Sequence, residues 1–143
     1  MIGLKSILRN TTVAIALLVN QNLWAETVQR PDAQSVVAGK ALYEQYCQSC
    51  HKEDGVGENP IPPLLKMPGY LTAMPLNETS HAWHHTDDQL EDTILNGLKR
   101  TQRMPAWKGT ITKQQASQIV SYIKNLWSDR ILDCQGPKHM SCM

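Results

Sequence analysis

The sequence contains no phenylalanine, no long run of basic residues and no marked excess of charge of either sign. Its aromatic residues are four Trp and four Tyr, so bulky apolar side chains are scarce. A net charge of +1 argues against a nucleic-acid-binding protein, which usually gathers a large cationic surface. Because 41% of the 143 residues are hydrophobic and only 19% are charged, we expect one globular domain rather than a disordered chain.

No stretch shows the alternating pattern of a β-strand, and three stretches show helical periodicity instead. The first covers residues 35–47. The second begins with a capping box at Thr86 and Gln89, and the third begins with the same box at Thr112 and Gln115 and fades near residue 129. The apolar stripe of the second helix consists of Leu90, Ile94 and Leu98. This pattern predicts an all-α fold.

The first 25 residues have the pattern of a secretory signal, with Lys5 and Arg9 before a short apolar run and Ala25 after a polar segment. The apolar run is shorter than the roughly 20 residues of a spanning helix, although an uncleaved membrane anchor stays open. We therefore divide the chain into a signal segment at 1–25, a domain at 26–130 and a tail at 131–143. The expected location is the periplasm, where disulfides form.

Residues 52–85 are interrupted by repeated Pro and Gly and are not expected to hold a long helix. A stretch of this length without regular structure is unusual inside a compact domain, because its side chains need something to pack against. A large planar cofactor would provide that surface and would also replace the missing aromatic bulk.

The segment from Cys47 to His51 reads Cys-Gln-Ser-Cys-His and is the most informative in the chain. Two thiols one helical turn apart suit thioether bonds to the two vinyl groups of a haem, and the adjacent His51 can reach the iron. A dithiol redox pair is an alternative, but its usual strand-helix-strand context is missing. A zinc site is another, with ligands from the set Cys47, Cys50, His51 and one of His81, His84 or His85.

A haem iron bound by His51 needs a second axial ligand, for which a thioether or an imidazole is usual. Three methionines precede a proline: Met67, Met74 and Met104. We favour Met104, because it lies between the second and third helices and the chain can wrap around the haem to reach it. Pro105 stiffens that approach. Met67, Met74 and a histidine stay open as alternatives.

These motifs, taken together, resemble the small monohaem class I cytochromes c over roughly residues 35–128. The matching elements are Gly39 and Tyr43 before the Cys47-Cys50-His51 motif, Pro62-Pro63-Leu64, Met104-Pro105-Ala106-Trp107, and a terminal helix with Tyr122 and Trp127. The resemblance implies a cytochrome c fold of three or more helices around one covalently attached haem c.

The same resemblance implies specific contacts. The first and last helices should cross with Gly39 against Tyr122, or with Tyr43 against the last helix. The carbonyl of Pro63 or its neighbour Pro62 should accept the Nδ1 proton of His51. Trp107 joins Cys47, Cys50, His51, Met104 and Pro63 as a cofactor-binding candidate.

The expected function is one-electron transfer between a donor and an acceptor redox protein, by a monomer that catalyses no reaction of its own. One alternative is a cytochrome subunit of a periplasmic dehydrogenase complex. Another is a haem enzyme or gas sensor with an open iron position.

Two further groups of residues are not explained by this interpretation. His81, His84 and His85 flank Trp83, which we expect to be packed, and the three histidines suit a solvated loop, contacts to haem propionates or a second metal site. In the tail, Cys134 and Cys142 favour a disulfide. The alternative is a copper site formed by Cys134, His139, Met140, Cys142 and Met143.

Overall fold

The computed structural model describes residues 28–65 and 67–143. The predicted signal segment, residues 1–25, therefore lies outside the described residues. The predicted domain is described from Val28 onward. The helices are α1 (Ala33–Tyr46), α2 (Gln48–His51), α3 (Asp87–Asn96), α4 (Lys113–Asn125), α5 (Asp129–Asp133) and α6 (His139–Cys142). Short 3₁₀ turns lie at Glu53–Gly55, Pro63–Leu65, Ala82–His84 and Gly136–Lys138. The described part of the chain has no β-strand, so the all-α prediction is confirmed.

The helix starts follow the local sequence signals. Both predicted capping boxes are present, at Thr86 with Gln89 and at Thr112 with Gln115. Asp32, which the periodicity did not single out, caps α1 by accepting a hydrogen bond from the Ser35 amide at 2.8 Å.

The helix ends were predicted less well. α3 stops at Asn96, because Gly97 takes a positive φ of 69°, and Leu98 lies beyond the helix. α4 ends at Asn125, and Trp127 is buried in the turn that follows it. The boundary expected after residue 130 falls inside α5, whose Ile131 and Leu132 are buried in the common core.

The core is built around the crossing of α1 and α4. A Cβ atom on Gly39 would collide with the Gln118 carbonyl and would lie 3.1 Å from the Cβ of Tyr122, and the rings of Tyr43 and Tyr122 have centroids 5.0 Å apart. Both helix contacts expected from the resemblance are therefore present. The largest fully buried side chains are Trp127, Tyr43, Ile119 and Val120.

The tail packs back onto the segment before α3. Cys134 is buried, and Cys134 and Cys142 lie in disulfide geometry with their Cα atoms 6.0 Å apart. Gln135 donates a hydrogen bond to the His85 carbonyl and another to the Asp87 carboxylate. No helix in the described ranges is both long and apolar enough to cross a membrane.

Candidate functional site

The two thiols of the central motif lie at the junction of α1 and α2. Cys47 is the last residue before α2, Cys50 lies one turn further on, and both are free and half-buried. Burial, with the neighbouring Cys50, raises the pKa of Cys47 to about 12, so this thiol is protonated at neutral pH. The motif thus presents two thiols on one short helical turn, as covalent attachment to a macrocycle requires.

His51 ends α2 and is held by its backbone and its ring. Its carbonyl accepts a hydrogen bond from the Gly57 amide at 2.8 Å, and the following residue, Lys52, has a positive φ of 64°. The buried Tyr43 hydroxyl donates to the Lys52 carbonyl at 2.7 Å, which fixes this unusual conformation. α1 therefore contributes directly to the placement of His51.

The His51 imidazole is oriented by a single hydrogen bond. Its Nδ1 atom lies 2.9 Å from the carbonyl oxygen of Met74, and because a carbonyl only accepts, Nδ1 must carry the proton. Burial lowers the pKa of His51, which favours the neutral ring. Nε2 is then left with a free lone pair, which is the form of histidine that binds a metal.

The expectation that Pro63 or Pro62 supplies this carbonyl is wrong in the structure. The Pro62 carbonyl accepts from the Leu65 amide at 2.9 Å within its own turn, and Pro63 lies exposed in that turn. Instead, the segment around Met74 is brought to the motif by a hydrogen bond of 2.7 Å from the Leu76 amide to the Gly55 carbonyl. The sequence contains two Pro-Leu pairs after the motif, and no local signal distinguishes them.

The three candidate methionines differ in their surroundings. Met104 is half-buried and packs against the core, whereas 63% of Met67 and 41% of Met74 is exposed. The carbonyl of Met74 is hydrogen-bonded to His51, so this residue lies on the Nδ1 side of the imidazole. Met74 would thus serve His51 as a hydrogen-bond acceptor, and of the three methionines Met104 would be the one to bind an iron held by His51.

Met104 lies in a loop tied back to the end of α3. Its carbonyl accepts from the Leu98 amide at 3.0 Å, and the Trp107 amide donates to the Ile94 carbonyl at 3.2 Å. The Trp107 ring packs edge-on against Tyr46, with centroids 5.2 Å apart. Tyr46 directly precedes Cys47, so Trp107 lies against the residue that leads into the attachment motif.

Apolar side chains are exposed mainly in the segment between α2 and α3. Of the ten large hydrophobic residues exposed in the described chain, seven lie between residues 56 and 74. They are Val56, Leu64, Leu65, Met67, Tyr70, Leu71 and Met74. An apolar surface of this kind, beside two thiols and a neutral imidazole, fits a covalently held macrocycle that carries iron.

A cavity of about 560 Å³ lies beside this segment, between residues 67–70 and 99–103. Lys99, Arg100 and Arg103 contribute to its lining. Arg103 and Glu58 form an ion pair that has no signal in the sequence, because a separation of 45 positions leaves no local pattern. Hydrogen bonds from Arg103 and the Ala73 amide lower the pKa of Glu58 to about 2.

The rings of the histidines before α3 contact one another, Trp83 and the tail rather than the central motif. Trp83 is buried, as predicted, and its ring meets His84 edge-on at 4.2 Å. His84 stacks on His139 of the tail, with ring centroids 4.4 Å apart and planes inclined by 15°. The two rings lie in nearly parallel planes, so their in-plane nitrogen lone pairs do not converge on one ion, and this pair does not form a metal site.

The zinc interpretation finds no support in the structure. Within residues 28–65 and 67–143, no group of three or more His, Cys, Asp and Glu side chains is placed to hold a metal ion. The dithiol interpretation also lacks the strands it would need in this part of the chain. The two thiols and the His51 ring therefore fit a metal that is carried by a cofactor.

Comparisons with known proteins agree with this conclusion. Residues 34–123, more than half of the chain, match the family model described as cytochrome c oxidase, cbb3-type, subunit III. A curated relative, the Cbb3-type cytochrome c oxidase subunit CcoP of Azospirillum sp. (strain B510), is 27% identical over 95 residues. That match covers 66% of this chain but only 30% of the relative. No solved structure matches the chain.

The matched region contains the whole attachment motif, Met74, Met104 and most of both helices of the central crossing. A class I c-type cytochrome, expected from the motifs, is therefore confirmed, and such a protein binds haem c covalently and transfers electrons. The chain belongs to the family of cbb3-type cytochrome c oxidase subunit III.

Proposed function

We propose that the chain carries one haem c on Cys47 and Cys50, with His51 and Met104 as axial ligands, and transfers single electrons between redox proteins. The observation that carries the proposal is the hydrogen bond from His51 Nδ1 to the Met74 carbonyl, since it leaves Nε2 free for iron. A single Cys-x-x-Cys-His motif in the sequence supports one haem. Haem bound in this way supplies a reversible one-electron couple, and a thioether ligand raises its potential.

The chain's own residues hold and orient the cofactor and keep water away from it. The Tyr43 hydroxyl and the Met74 carbonyl fix His51 from two directions, and the exposed apolar segment provides a cover for the macrocycle. No general acid or base is required for electron transfer, so we propose that this domain catalyses no reaction by itself.

The partner is best sought among oxidase complexes. The matched family and the Azospirillum relative are both named as oxidase subunits, which favours work within or beside such a complex over a freely diffusing monomer. A dehydrogenase complex is the second partner class, because the haem site would be the same in both. We also propose an exported, periplasmic location, which the basic and apolar pattern of residues 1–25 supports.

The decisive experiment is a visible spectrum and an intact mass of protein matured with haem attachment. We expect a low-spin cytochrome spectrum, one haem added per chain, and a weak red-edge absorption in the ferric form from the bond between sulfur and iron. Absence of covalent haem would overturn the proposal. Covalent haem without the red-edge band would favour the enzyme or sensor with an open iron position.

The partner class is tested separately by native purification from the source membrane and soluble fractions. Co-purification with oxidase subunits supports the proposed partner, and co-purification with a dehydrogenase would replace it. A haem protein that elutes alone with the mass of one chain would favour the free carrier.

A further inference from the structure

Glu58 and Arg103 form a bidentate ion pair that joins two distant parts of the chain. Arg103 Nη1 lies 2.7 Å from Glu58 Oε2, and Arg103 Nη2 lies 2.7 Å from Glu58 Oε1. The exposed fractions of the two side chains are 27% and 21%, so solvent screens the pair only partly. Two parallel charge-assisted hydrogen bonds fix distance and direction together.

Glu58 is hydrogen-bonded to the segment that orients His51. Glu58 Oε2 also accepts from the Ala73 amide at 2.9 Å, and the Glu58 amide donates to the Ala73 carbonyl at 2.8 Å. Ala73 directly precedes Met74, whose carbonyl orients His51. Glu58 thereby holds the peptide next to the hydrogen-bond acceptor of the imidazole.

The Arg103 end of the pair is attached to the loop of Met104. Arg103 directly precedes Met104, and its amide donates to the buried Thr101 hydroxyl at 3.2 Å. Its guanidinium also donates to the Leu71 carbonyl at 3.0 Å and lies 4.5 Å from the centre of the Tyr70 ring. Arg103 therefore has little freedom to move away from the segment that supports His51.

We propose that the Glu58–Arg103 ion pair is a positioning pair that couples the two axial ligands, holding the Met104 loop against the segment that orients His51. This inference rests on the proposed ligation by His51 and Met104. With the pair intact, movement of the Met104 loop away from Glu58 would break two charge-assisted hydrogen bonds, so the pair would hold Met104 at the iron. Loss of either partner removes that constraint and makes the iron easier to reach for an added ligand.

The test is an equilibrium titration of the ferric holoprotein with imidazole, followed by loss of the red-edge absorption. The variants are Glu58→Gln, Arg103→Gln, the double variant and Arg103→Lys. The matched control is Lys124→Gln, which removes another partly buried ion pair, with Asp87 at 2.8 Å, that links α4 to α3. Covalent haem content and far-UV circular dichroism are measured for each variant.

We expect Glu58→Gln and Arg103→Gln each to raise the apparent affinity for imidazole about tenfold, because charge-assisted hydrogen bonds with this two-point geometry are strong even when partly exposed. The double variant should resemble either single variant, since the partners act as one unit. Arg103→Lys should raise the affinity for imidazole less than Arg103→Gln does, because lysine keeps the charge but not the two-point geometry. Lys124→Gln should change the affinity by less than about twofold.

Several results would overturn the proposal. Variants that behave like Lys124→Gln would show that the pair does not hold the sulfur. Single effects that multiply to about a hundredfold in the double variant would show two independent contributions instead of a pair. If wild-type protein lacks the red-edge band, the proposed ligation fails and this inference fails with it, whereas the first two results leave the ligation standing. If a glutamine variant does not fold, Arg103→Lys takes its place, because it keeps a cation at residue 103. An imidazole affinity equal to that of wild type would then overturn the proposal.

Discussion

Gly39 in α1 lies so close to Gln118 in α4 that a Cβ atom at residue 39 would overlap the Gln118 carbonyl oxygen. The two nearest atoms, the carbonyl oxygen and carbon of Gln118, belong to the backbone and cannot swing aside. We expect Gly39→Ala to lower the free energy of unfolding by about 1–3 kcal/mol, even though alanine favours a helix. Urea denaturation measures the change, and the exposed Gln45→Ala variant of the same helix should stay within about 0.5 kcal/mol of wild type.

Covalent attachment is predicted to depend on two of the four cysteines. Replacement of Cys47 and Cys50 by alanine should abolish covalent haem, because both thioether bonds need a thiol. Haem staining of a denaturing gel measures this. The matched control, replacement of Cys134 and Cys142 by alanine, should keep the stain, and colour that survives in the first variant would contradict the attachment site.

Met104 is predicted to be the second axial ligand. Met104→Ala should leave haem attached, open the iron to water and lower the reduction potential, because the thioether that raises the potential is gone. The ferric spectrum and a potentiometric titration measure both effects. The controls Met67→Ala and Met74→Ala should change neither, since the role of Met74 is carried by its backbone carbonyl. An unchanged spectrum in Met104→Ala would transfer the ligand role, with His84 and His85 next to be tested.

The features that could be predicted from sequence are those set by local backbone rules. A threonine three residues before a glutamine satisfies free amides within one helical turn, so both capping boxes were readable. The crossing at Gly39 was predictable from the resemblance, because a glycine on an apolar helix face only permits close approach and also suits a surface position. The attachment motif is local as well, which is why its residues were identified without the fold.

The features that could not be predicted depend on how distant segments meet. The acceptor for His51 is decided by which of two Pro-Leu segments reaches Gly55, and that is a property of the folded chain. Glu58 and Arg103 are separated by 45 positions in the sequence, and the pair follows no periodicity. Isolated charged residues are common on surfaces, so neither residue stands out in the sequence.

The stack of His84 on His139 predicts a pH dependence of stability. Partial burial, followed by the positive charges of His139, His81 and His85, lowers the pKa of His84. The unfolded chain therefore takes up a proton first as the pH falls below about 6.5, and stability declines from that point towards the lower pKa of the folded state. Urea unfolding at pH 7.5 and pH 5.5 measures the loss.

The His84→Gln variant isolates this contribution, because other groups also titrate in the same range. We expect a smaller loss of stability between the two pH values than in wild type. His85→Gln should reduce the loss less, since His85 acts on His84 only as the last of its three charged neighbours. An equal loss of stability in wild type and His84→Gln would show that His84 does not contribute to the pH dependence.

The tail is predicted to carry a disulfide between Cys134 and Cys142, and copper binding is its rival. The Cα atoms of the two cysteines lie 6.0 Å apart. In the rival set of copper ligands, His139 already donates a hydrogen bond from Nδ1 to the Gly136 carbonyl at 2.6 Å. A bridge closing this short loop stabilises the folded tail by about 2–3 kcal/mol in the chain-entropy model. Alkylation of the unfolded, unreduced, metal-free protein without oxygen should label neither cysteine. Two labelled thiols would contradict the disulfide and make copper titration the next experiment, since oxidised sulfurs cannot act as thiolate ligands.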